Sequence, residues 1–164
     1  KSNKYNYIID GGNILFSNKG KNNFKSYKYL ISMLEKIKDT NPLLIIHHKY
    51  LKKIGNKKNV NKLIEYLIKN LKDNIFTTPY KNNDDYYIIY SSIIMHIPII
   101  SNDNFKDHIF SINNDTFKNF LNKYLFKYNN LEIQCLESFS KCIQIINNNI
   151  YIPSESGYFY ECNL

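Results

Sequence analysis

The sequence has 164 residues, enough for one domain with a hydrophobic core and too few for two full domains. Hydrophobic residues make up 43% of it, and no apolar run approaches the ~18–20 residues of a membrane span, which argues against a membrane protein. The net charge is +8 and every basic residue is lysine, which favours a polyanionic partner such as nucleic acid. An AT-rich coding bias toward Lys, Asn, Ile and Tyr would produce the same composition.

Apolar runs alternate with helical patterns along most of the chain. Short continuous runs predict strands at 5–10, 42–47, 75–78, 97–101 and 131–134. Apolar residues that recur every three or four positions predict helices at 24–39, 60–71, 84–95, 105–112 and 117–125. Strands that alternate with helices form βα units, so the sequence predicts an α/β fold with a parallel sheet flanked by helices.

The pattern changes from about residue 138. Short apolar segments at 143–146, 150–152 and 158–160 are separated by Asn-rich and Ser-containing spacers. They predict a small antiparallel β appendage. We therefore expect a main domain over residues 1–137 and the appendage over residues 138–164.

Acidic residues follow three of the predicted strands. Asp10 ends the first strand, Asp84 and Asp85 open the helix after the strand at 75–78, and Asp103 follows the strand at 97–101. Ligands of an open parallel sheet bind outside the carboxyl ends of its strands, so we expect the four carboxylates at one edge. Clustered carboxylates repel unless a cation compensates, and Mg²⁺ or Mn²⁺ prefers such oxygen ligands. Two such ions can activate a water and stabilise the leaving oxygen of a phosphodiester.

A plainer interpretation of these acids stays open. Asp84 and Asp103 could each be a helix N-cap, and Asp10 could lie in an unrelated turn. Gly11 and Gly12 favour the metal interpretation, because they leave the approach to Asp10 open and allow a sharp turn. The double acid at 84–85 also favours it, since adjacent helical residues point ~100° apart and only one can cap the helix.

Other polar residues near the acids are candidates for positioning a substrate. His47 ends the second strand, and Asp107 lies one helical turn after Asp103 with His108 beside it. Their alternatives are a surface acid for Asp107 and core histidines for His47 and His108. The complete set of secondary candidates is Asn13, His47, Asn83, Asn102, Lys106, Asp107 and His108.

Basic and aromatic residues also lie close to the acids in sequence. The densest basic stretch, KYLKKIGNKKNVNK at 49–62, could hold a phosphate backbone or be a solvated loop and helix start. Aromatics beside lysine can stack on unpaired bases, and Tyr80, Lys81, Tyr86 and Tyr87 flank the double acid. Tyr86 or Tyr87 could equally belong to the core.

Four segments, in this order, resemble the NYN metallonuclease domain of protein-only RNase P: IIDGGNILFS at 8–17, PLLIIHHKYL at 42–51, TTPYKNNDDYYIIYSSI at 77–93 and IPIISNDNFKDHIFSI at 97–112. Their order and spacing hold from about residue 7 to residue 137. The NDD-aromatic and ND-x-x-[RK]-DH segments are specific together, whereas D-G-x-N alone is shared by many PIN and NYN nucleases. The resemblance implies a PIN/NYN-like parallel sheet.

The resemblance also implies a two-metal endoribonuclease that removes the 5′ leader of precursor tRNA with Mg²⁺, for which Mn²⁺ should substitute. The family's catalytic, metal-binding acids fall on Asp10, Asp84, Asp85 and Asp103. Lys106 stands where the family usually has Arg, which keeps the charge and loses the bidentate fork. The rivals are another NYN or PIN endoribonuclease acting on mRNA or structured RNA, and a catalytically weak RNA-binding module.

The C-terminal segment NIYIPSESGYFYEC at 149–162 resembles the part of the family's zinc-bearing connector that supplies a His and a Cys. Cys162 matches the Cys, but Tyr151 stands at the His position, and Tyr does not replace His in an ordinary structural zinc site. No CxxC precedes the nuclease segment, and Cys135 and Cys142 are unfavourably spaced. We therefore expect no zinc site, and we expect the family's RNA-binding repeats to lie N-terminal to this chain.

The cysteines also bear on the compartment. Their odd number and the absence of CxxC spacing argue against a disulfide framework and for a reducing environment. We expect an intracellular location, in a mitochondrion or plastid rather than the nucleus.

Overall fold

The computed structural model describes residues 4–17, 26–52, 57–108, 115–134, 144–146, 149–153 and 159–163. Within these ranges strands and helices alternate, as the apolar patterns predict. The elements are β1 (Tyr7–Asp10), α1 (Gly11–Ser17), α2 (Tyr27–Ile37), β2 (Pro42–His47), α3 (Lys57–Asn70), β3 (Ile75–Thr78), α4 (Asp84–Met95), β4 (Ile99–Ile100), α5 (Asp115–Tyr124), β5 (Leu125–Asn129), β6 (Glu132–Gln134), β7 (Gln144–Ile146), β8 (Asn149–Pro153) and β9 (Phe159–Asn163).

A six-stranded sheet organises the main part of the chain. Its strand order is β3-β2-β1-β4-β5-β6, and all neighbours run parallel except β6, which is antiparallel to β5. The predicted α/β class is therefore confirmed. Because β1 lies between β2 and β4, the winding direction reverses between β1 and β4. The carboxyl ends of these two strands lie side by side, which is where ligands of such sheets bind.

The apolar strands are buried on both faces of the sheet. Along β1, Ile9 packs into one cluster with residues of α1, α2 and α3, whereas Ile8 packs into a second cluster with residues of α4 and α5. The same alternation divides Leu44 and Ile46 from Leu43 and Ile45 in β2. Burying each such side chain stabilises the fold by roughly 1.5–3 kcal/mol relative to leaving it exposed. Helices cover both faces, which explains why the strands are apolar throughout.

The start of α4 decides one alternative for the double acid. Asn83 is the N-cap residue, because its side chain accepts a hydrogen bond of 3.0 Å from the backbone N–H of Asp85. The interpretation of Asp84 as a helix cap is therefore wrong. Both carboxylates of the pair are left available for other contacts, at a helix end whose dipole favours negative charge.

Two elements differ from the sequence-based predictions. The segment after Asp10 forms the helix α1 rather than a turn, because Gly11 packs directly against β2. A Cβ at Gly11 would lie 2.9 Å from Ile46 Cβ. The helical pattern at 117–125 ends one residue early, and Leu125 begins the unpredicted strand β5, which pairs with β4. The predicted helix at 105–112 is described only to His108, and residues 106–108 are helical.

The C-terminal strands form a separate antiparallel sheet. Its order is β7-β8-β9, with Ile150 opposite Cys162. This confirms the predicted β appendage, while the boundary predicted at residues 137–138 lies outside the described residues and stays a prediction. Among the described residues, no helix has the length and apolar character needed to cross a membrane.

Candidate metal centre

A cavity of about 400 Å³ opens at the carboxyl edge of the parallel sheet. All four acids predicted to bind metal line it, although they are separated by up to 93 positions in the sequence (10 to 103). The glycine, the asparagine and two aromatic residues that complete the lining come from β1–α1 and from the turn after β2. The lining residues are Asp10, Gly12, Asn13, Phe16, Tyr50, Asp84, Asp85 and Asp103.

Asp10 is the most enclosed of the four acids, with only 4% of its surface exposed. Its Oδ1 accepts a hydrogen bond of 2.9 Å from the backbone N–H of Asn13, in the first turn of α1. Its Oδ2 accepts a bond of 2.8 Å from the hydroxyl of Ser101, which follows the neighbouring strand β4. Both oxygens are therefore fixed, one from each side of the point where the sheet reverses direction.

The loop after β4 is held by a hydrogen-bond network. The Ser101 hydroxyl accepts from the backbone N–H of Asp103 (3.0 Å), and Asp103 Oδ1 accepts from the backbone N–H of Phe105 (2.9 Å). Asn13 Oδ1 accepts both the backbone N–H of Asn102 (2.9 Å) and the hydroxyl of Tyr128 (2.7 Å). The network ties the loops that carry Asp10 and Asp103 to each other.

Asn102 and Lys127 attach the same loop to the edge of the sheet. The Asn102 side chain donates to the Tyr128 carbonyl (2.9 Å) and accepts from its N–H (3.0 Å), as a backbone strand would. Lys127 Nζ donates to the Asp103 carbonyl (2.7 Å). Burial lowers the pKa of Lys127, and the Asp103 carboxylate acts in the opposite direction. β5 thus holds the loop in place.

The acids at the start of α4 are more accessible than Asp10, and Asp103 is exposed. Asp85 has 28% of its side-chain surface exposed, and its Oδ2 lies 3.2 Å from Nε2 of the buried His108. The His108 ring is also contacted edge-on by Tyr86, with ring centroids 4.7 Å apart. Tyr86 is itself exposed, so it is not a core residue. His108 is buried, as a core histidine would be, and it also contacts an acid of the cavity, as a positioning residue would.

The electrostatics of the cavity disfavour several negative charges at once. Burial raises the pKa of Asp10 to about 7, with further upward contributions from Asp85 and Asp84, while the bonds from Asn13 and Ser101 act in the opposite direction. Burial also raises the pKa of Asp85, opposed by its contact with His108 and reinforced by the neighbouring acids. A bound cation would reverse these shifts, because it stabilises the ionised forms.

Gly12 keeps the centre of the cavity open. A Cβ at this position would lie 3.1 Å from Asp84 Oδ2, 3.3 Å from a ring carbon of Tyr50 and 3.6 Å from Asp10 Oδ1. Any side chain here would enter the space between the two carboxylates. The predicted open approach to Asp10 is thus present, and Gly12 provides it.

The lining fits a hard, hydrated cation. Its charged donors are carboxylate oxygens, which Mg²⁺ and Mn²⁺ prefer. Within the described part of the chain, no three His, Cys, Asp or Glu side chains form a group that could hold one ion. Mg²⁺ does not require such a group, because it usually takes one or two carboxylates and keeps several waters.

The secondary candidates fall into three groups. The three asparagines form the first group: Asn13 and Asn102 belong to the network around Asp10, and Asn83 caps α4. Lys106 and Asp107 line a second cavity of about 290 Å³, whose wall includes Asp85, Asn102, Asp103 and His108.

His47 forms the third group. It is buried, its Nδ1 accepts from the backbone N–H of Lys49 (3.0 Å), and burial together with Lys49 lowers its pKa, against the pull of Asp84. It has the surroundings of a structural histidine at the end of a strand.

Three residues at the site have roles that the sequence patterns above do not predict. Ser101 ends a predicted strand, Tyr50 lies in the basic stretch at 49–62, and no pattern distinguishes Tyr128. A serine directly before the ND pair, at the end of an apolar run, could have indicated a hydrogen bond to an acid on the neighbouring strand. Nothing in the sequence indicates the pairing of Tyr128 with Asn13.

The chain matches a known family model and is similar to known proteins. The family model described as Protein-only RNase P matches residues 1–155. Proteinaceous RNase P 2 of Arabidopsis thaliana is 27% identical over 158 residues, which cover 88% of this chain and 29% of that protein. Proteinaceous RNase P 3 of the same plant is 27% identical over 126 residues, covering 71% of this chain and 21% of that protein.

Solved structures show the same relationship. The crystal structure of nuclear proteinaceous RNase P 2 from A. thaliana superposes with a TM-score of 0.74 at 25% identity, covering 96% of this chain and 37% of that chain. The chain thus spans less than a third of the length of the two curated relatives.

Proposed function

The chain belongs to the protein-only RNase P family, and on that premise we propose that it is a metal-dependent endoribonuclease that removes the 5′ leader of precursor tRNA. One observation carries the proposal: four acids from three separate βα units line one cavity at the point where the sheet reverses direction. A bound cation would let the four acids ionise together, and a hydrated divalent cation can bind the phosphate of a phosphodiester. Precursor tRNA as the substrate rests on the family alone.

The reaction is hydrolysis of one phosphodiester bond. A water oxygen bonds to the phosphorus, and the bond from phosphorus to the 3′ oxygen of the leader breaks, so the phosphate stays on the 5′ end of the tRNA. Two Mg²⁺ ions shared among Asp10, Asp84, Asp85 and Asp103 would neutralise phosphate charge and supply a nucleophile at neutral pH. Mn²⁺ should substitute, because it accepts the same ligands.

The surrounding residues would position the acids and the RNA. Asn13 and Ser101 fix both oxygens of Asp10, and His108 orients Asp85. Lys106 lines the second cavity, beside Asp85 and Asp103, and brings a positive charge close to where a phosphate would lie.

The test is cleavage of a 5′-labelled precursor tRNA with Mg²⁺ and protein in excess, so that weak substrate binding does not limit the reaction. We expect one cut that leaves a 5′ phosphate at the first tRNA nucleotide, and no cut with folded Asp85→Ala or Asp103→Ala protein. Normal cleavage by either folded variant would overturn the site assignment. Equal cleavage of unstructured RNA would favour the rival, a general NYN or PIN endoribonuclease.

We also propose that the chain binds no structural zinc. Cys135 and Cys142 lie outside the described residues, so this rests on the sequence: Tyr151 occupies the position of the family's His ligand. Elemental analysis of purified protein should find no stoichiometric zinc, and a zinc-selective chelator should leave its Tm unchanged. One tightly held zinc per chain would contradict the proposal.

A further inference from the structure

A row of aromatic rings leads from the wall of the acidic cavity to the surface. Its members are Phe16, Tyr50, His47, His48 and Tyr80, and successive ring centroids lie 5.6, 6.1, 5.7 and 5.4 Å apart. The first two rings line the cavity, and the last is 64% exposed. The row therefore connects the proposed reaction site with an exposed aromatic side chain.

Tyr80 stands at the tip of a tight turn. The backbone N–H of Asn82 donates to the carbonyl of Pro79 (3.3 Å), and Lys81, between them, has a left-handed φ of 74°. The ring of His48 lies nearly perpendicular to that of Tyr80, at 85°. The turn and the histidine hold the tyrosine ring outward. An exposed aromatic side chain that is already held in place loses little conformational freedom when it binds a ligand.

Two lysines lie against rings of this row. Lys52 Nζ lies 4.9 Å from the centroid of the Tyr80 ring, and Lys49 Nζ lies 4.8 Å from that of Tyr50. Both belong to the segment 40–64, which contains six lysines and no acidic residue. Lys81 follows Tyr80 directly, so three lysines accompany the row. We call Tyr80, Lys49, Lys52 and Lys81 the Tyr80 surface.

A held aromatic ring beside several ammonium groups matches the chemistry of unpaired nucleotides. A base offers a flat face for stacking, and its phosphates pair with lysines. Base-paired RNA keeps its faces inside the helix and cannot stack on a side chain in this way. We propose that the Tyr80 surface binds an unpaired RNA segment and leads it toward the acidic cavity. The identification of that segment as the leader of precursor tRNA rests on the proposed function, whereas binding of an unpaired segment does not.

The test uses the absence of tryptophan from the chain. In the Tyr80→Trp protein the indole is the sole tryptophan, and a base stacked on it should quench its fluorescence. The matched control is Tyr90→Trp, because Tyr90 is an equally exposed tyrosine (66%) on α4. Titration is done with a single-stranded oligoribonucleotide and with a blunt hairpin of the same length, closed by a non-nucleotide linker so that it has no unpaired bases, in EDTA.

We expect the single strand to quench the fluorescence of the Tyr80→Trp protein in a saturable way. The hairpin should quench this protein at most weakly, and either RNA should quench the Tyr90→Trp control at most weakly. Tyr80→Ala should weaken single-strand binding by roughly 5- to 100-fold and Tyr80→Phe much less, since stacking needs the ring and not the hydroxyl. Lys52→Ala should reduce the log–log salt slope by about 0.7. Equal quenching at both positions, or equal quenching by the hairpin, would refute the proposal.

These measurements need neither metal nor cleavage. A protein that cuts precursor tRNA but shows no selective quenching refutes the Tyr80 surface and leaves the proposed function standing. A protein that shows the quenching but does not cut precursor tRNA supports the surface and refutes the proposed function.

Discussion

The two walls of the acidic cavity are built in different ways. On the strand wall, formed by Asp10, Asn13, Ser101, Asn102 and Asp103, side chains are fixed by bonds between neighbouring strand ends. On the helix wall, formed by Asp84 and Asp85, the carboxylates stand half-exposed in the first turn of α4. The strand wall thus presets its geometry. On the helix wall His108 orients Asp85, while the half-exposed Asp84 can adjust to what binds. Each prediction below tests this contrast, from the largest expected effect to the smallest.

Neutralising one acid on each wall should give the largest difference between the two walls, measured as the rescue of cleavage by added metal. We expect Asp10→Asn and Asp84→Asn both to reduce cleavage, by roughly 10³-fold or more for Asp10. High Mg²⁺ or Mn²⁺ should partly restore the Asp84 variant, because its exposed position can be filled by water. It should not restore the Asp10 variant, whose buried position admits no substitute ligand. Cleavage rates measured against metal concentration decide this, and equal rescue of both variants would contradict the contrast.

The two adjacent glycines should respond to alanine in opposite ways. Gly11→Ala should destabilise the fold by roughly 1–3 kcal/mol, because the new Cβ meets the β2 backbone and the Ile46 Cβ at 3.0 and 2.9 Å. Gly12→Ala should leave the Tm nearly unchanged and reduce cleavage, because its Cβ enters the space between Asp10 and Asp84. Thermal melts and single-turnover rates of the pair check this. A large loss of Tm in the Gly12 variant would show that this glycine serves the fold.

The buried acid should make metal-free protein less stable as the pH rises. The pKa of Asp10 is about 7 in the folded chain and near 3.8 when unfolded, so the unfolded chain releases this proton first. The resulting loss of stability builds up between about pH 4 and pH 7. In EDTA, Asp10→Asn should therefore be more stable than the parent above pH 7, by about 1–3 kcal/mol, and the difference should shrink toward pH 4. Urea unfolding at several pH values measures it, and a difference that does not vary with pH would argue against the buried carboxylate as its cause.

The Tyr128 hydroxyl should have the smallest measurable role. Tyr128→Phe removes its 2.7 Å bond to Asn13 and should raise the half-saturating Mg²⁺ concentration by roughly 3- to 10-fold. The control is Tyr29→Phe, since Tyr29 lies beside Tyr128 (ring centroids 6.5 Å apart) and its hydroxyl accepts a bond from the Leu131 N–H. If both variants shift the metal dependence equally, Tyr128 has no specific effect on the strand wall.

The sequence predicts the helix wall better than the strand wall. The bounds of β2, β3 and α4 follow from continuous apolar runs with clear ends at Pro42, Pro79 and Asp84, and the four acids lie at the predicted edge. The sequence does not predict α1, because glycines have low helix propensity, which the packing of Gly11 on β2 overrides. It does not predict β5, because Leu125 continues the helical spacing of α5. The Ser101 and Tyr128 contacts join residues about 90 and 115 positions apart, which no local pattern encodes.

The central pairing of β1 with β4 has a consequence for folding kinetics. Ile8 and Ile9 pair with Ile99 and Ile100, so the strand wall is complete only when distant parts of the chain have come together. Parallel pairings of this range are intrinsically slow, because the loop entropy is lost before the contacts form. We therefore expect a ligand of this cavity to act on the finished structure, slowing its unfolding while leaving the folding rate nearly unchanged.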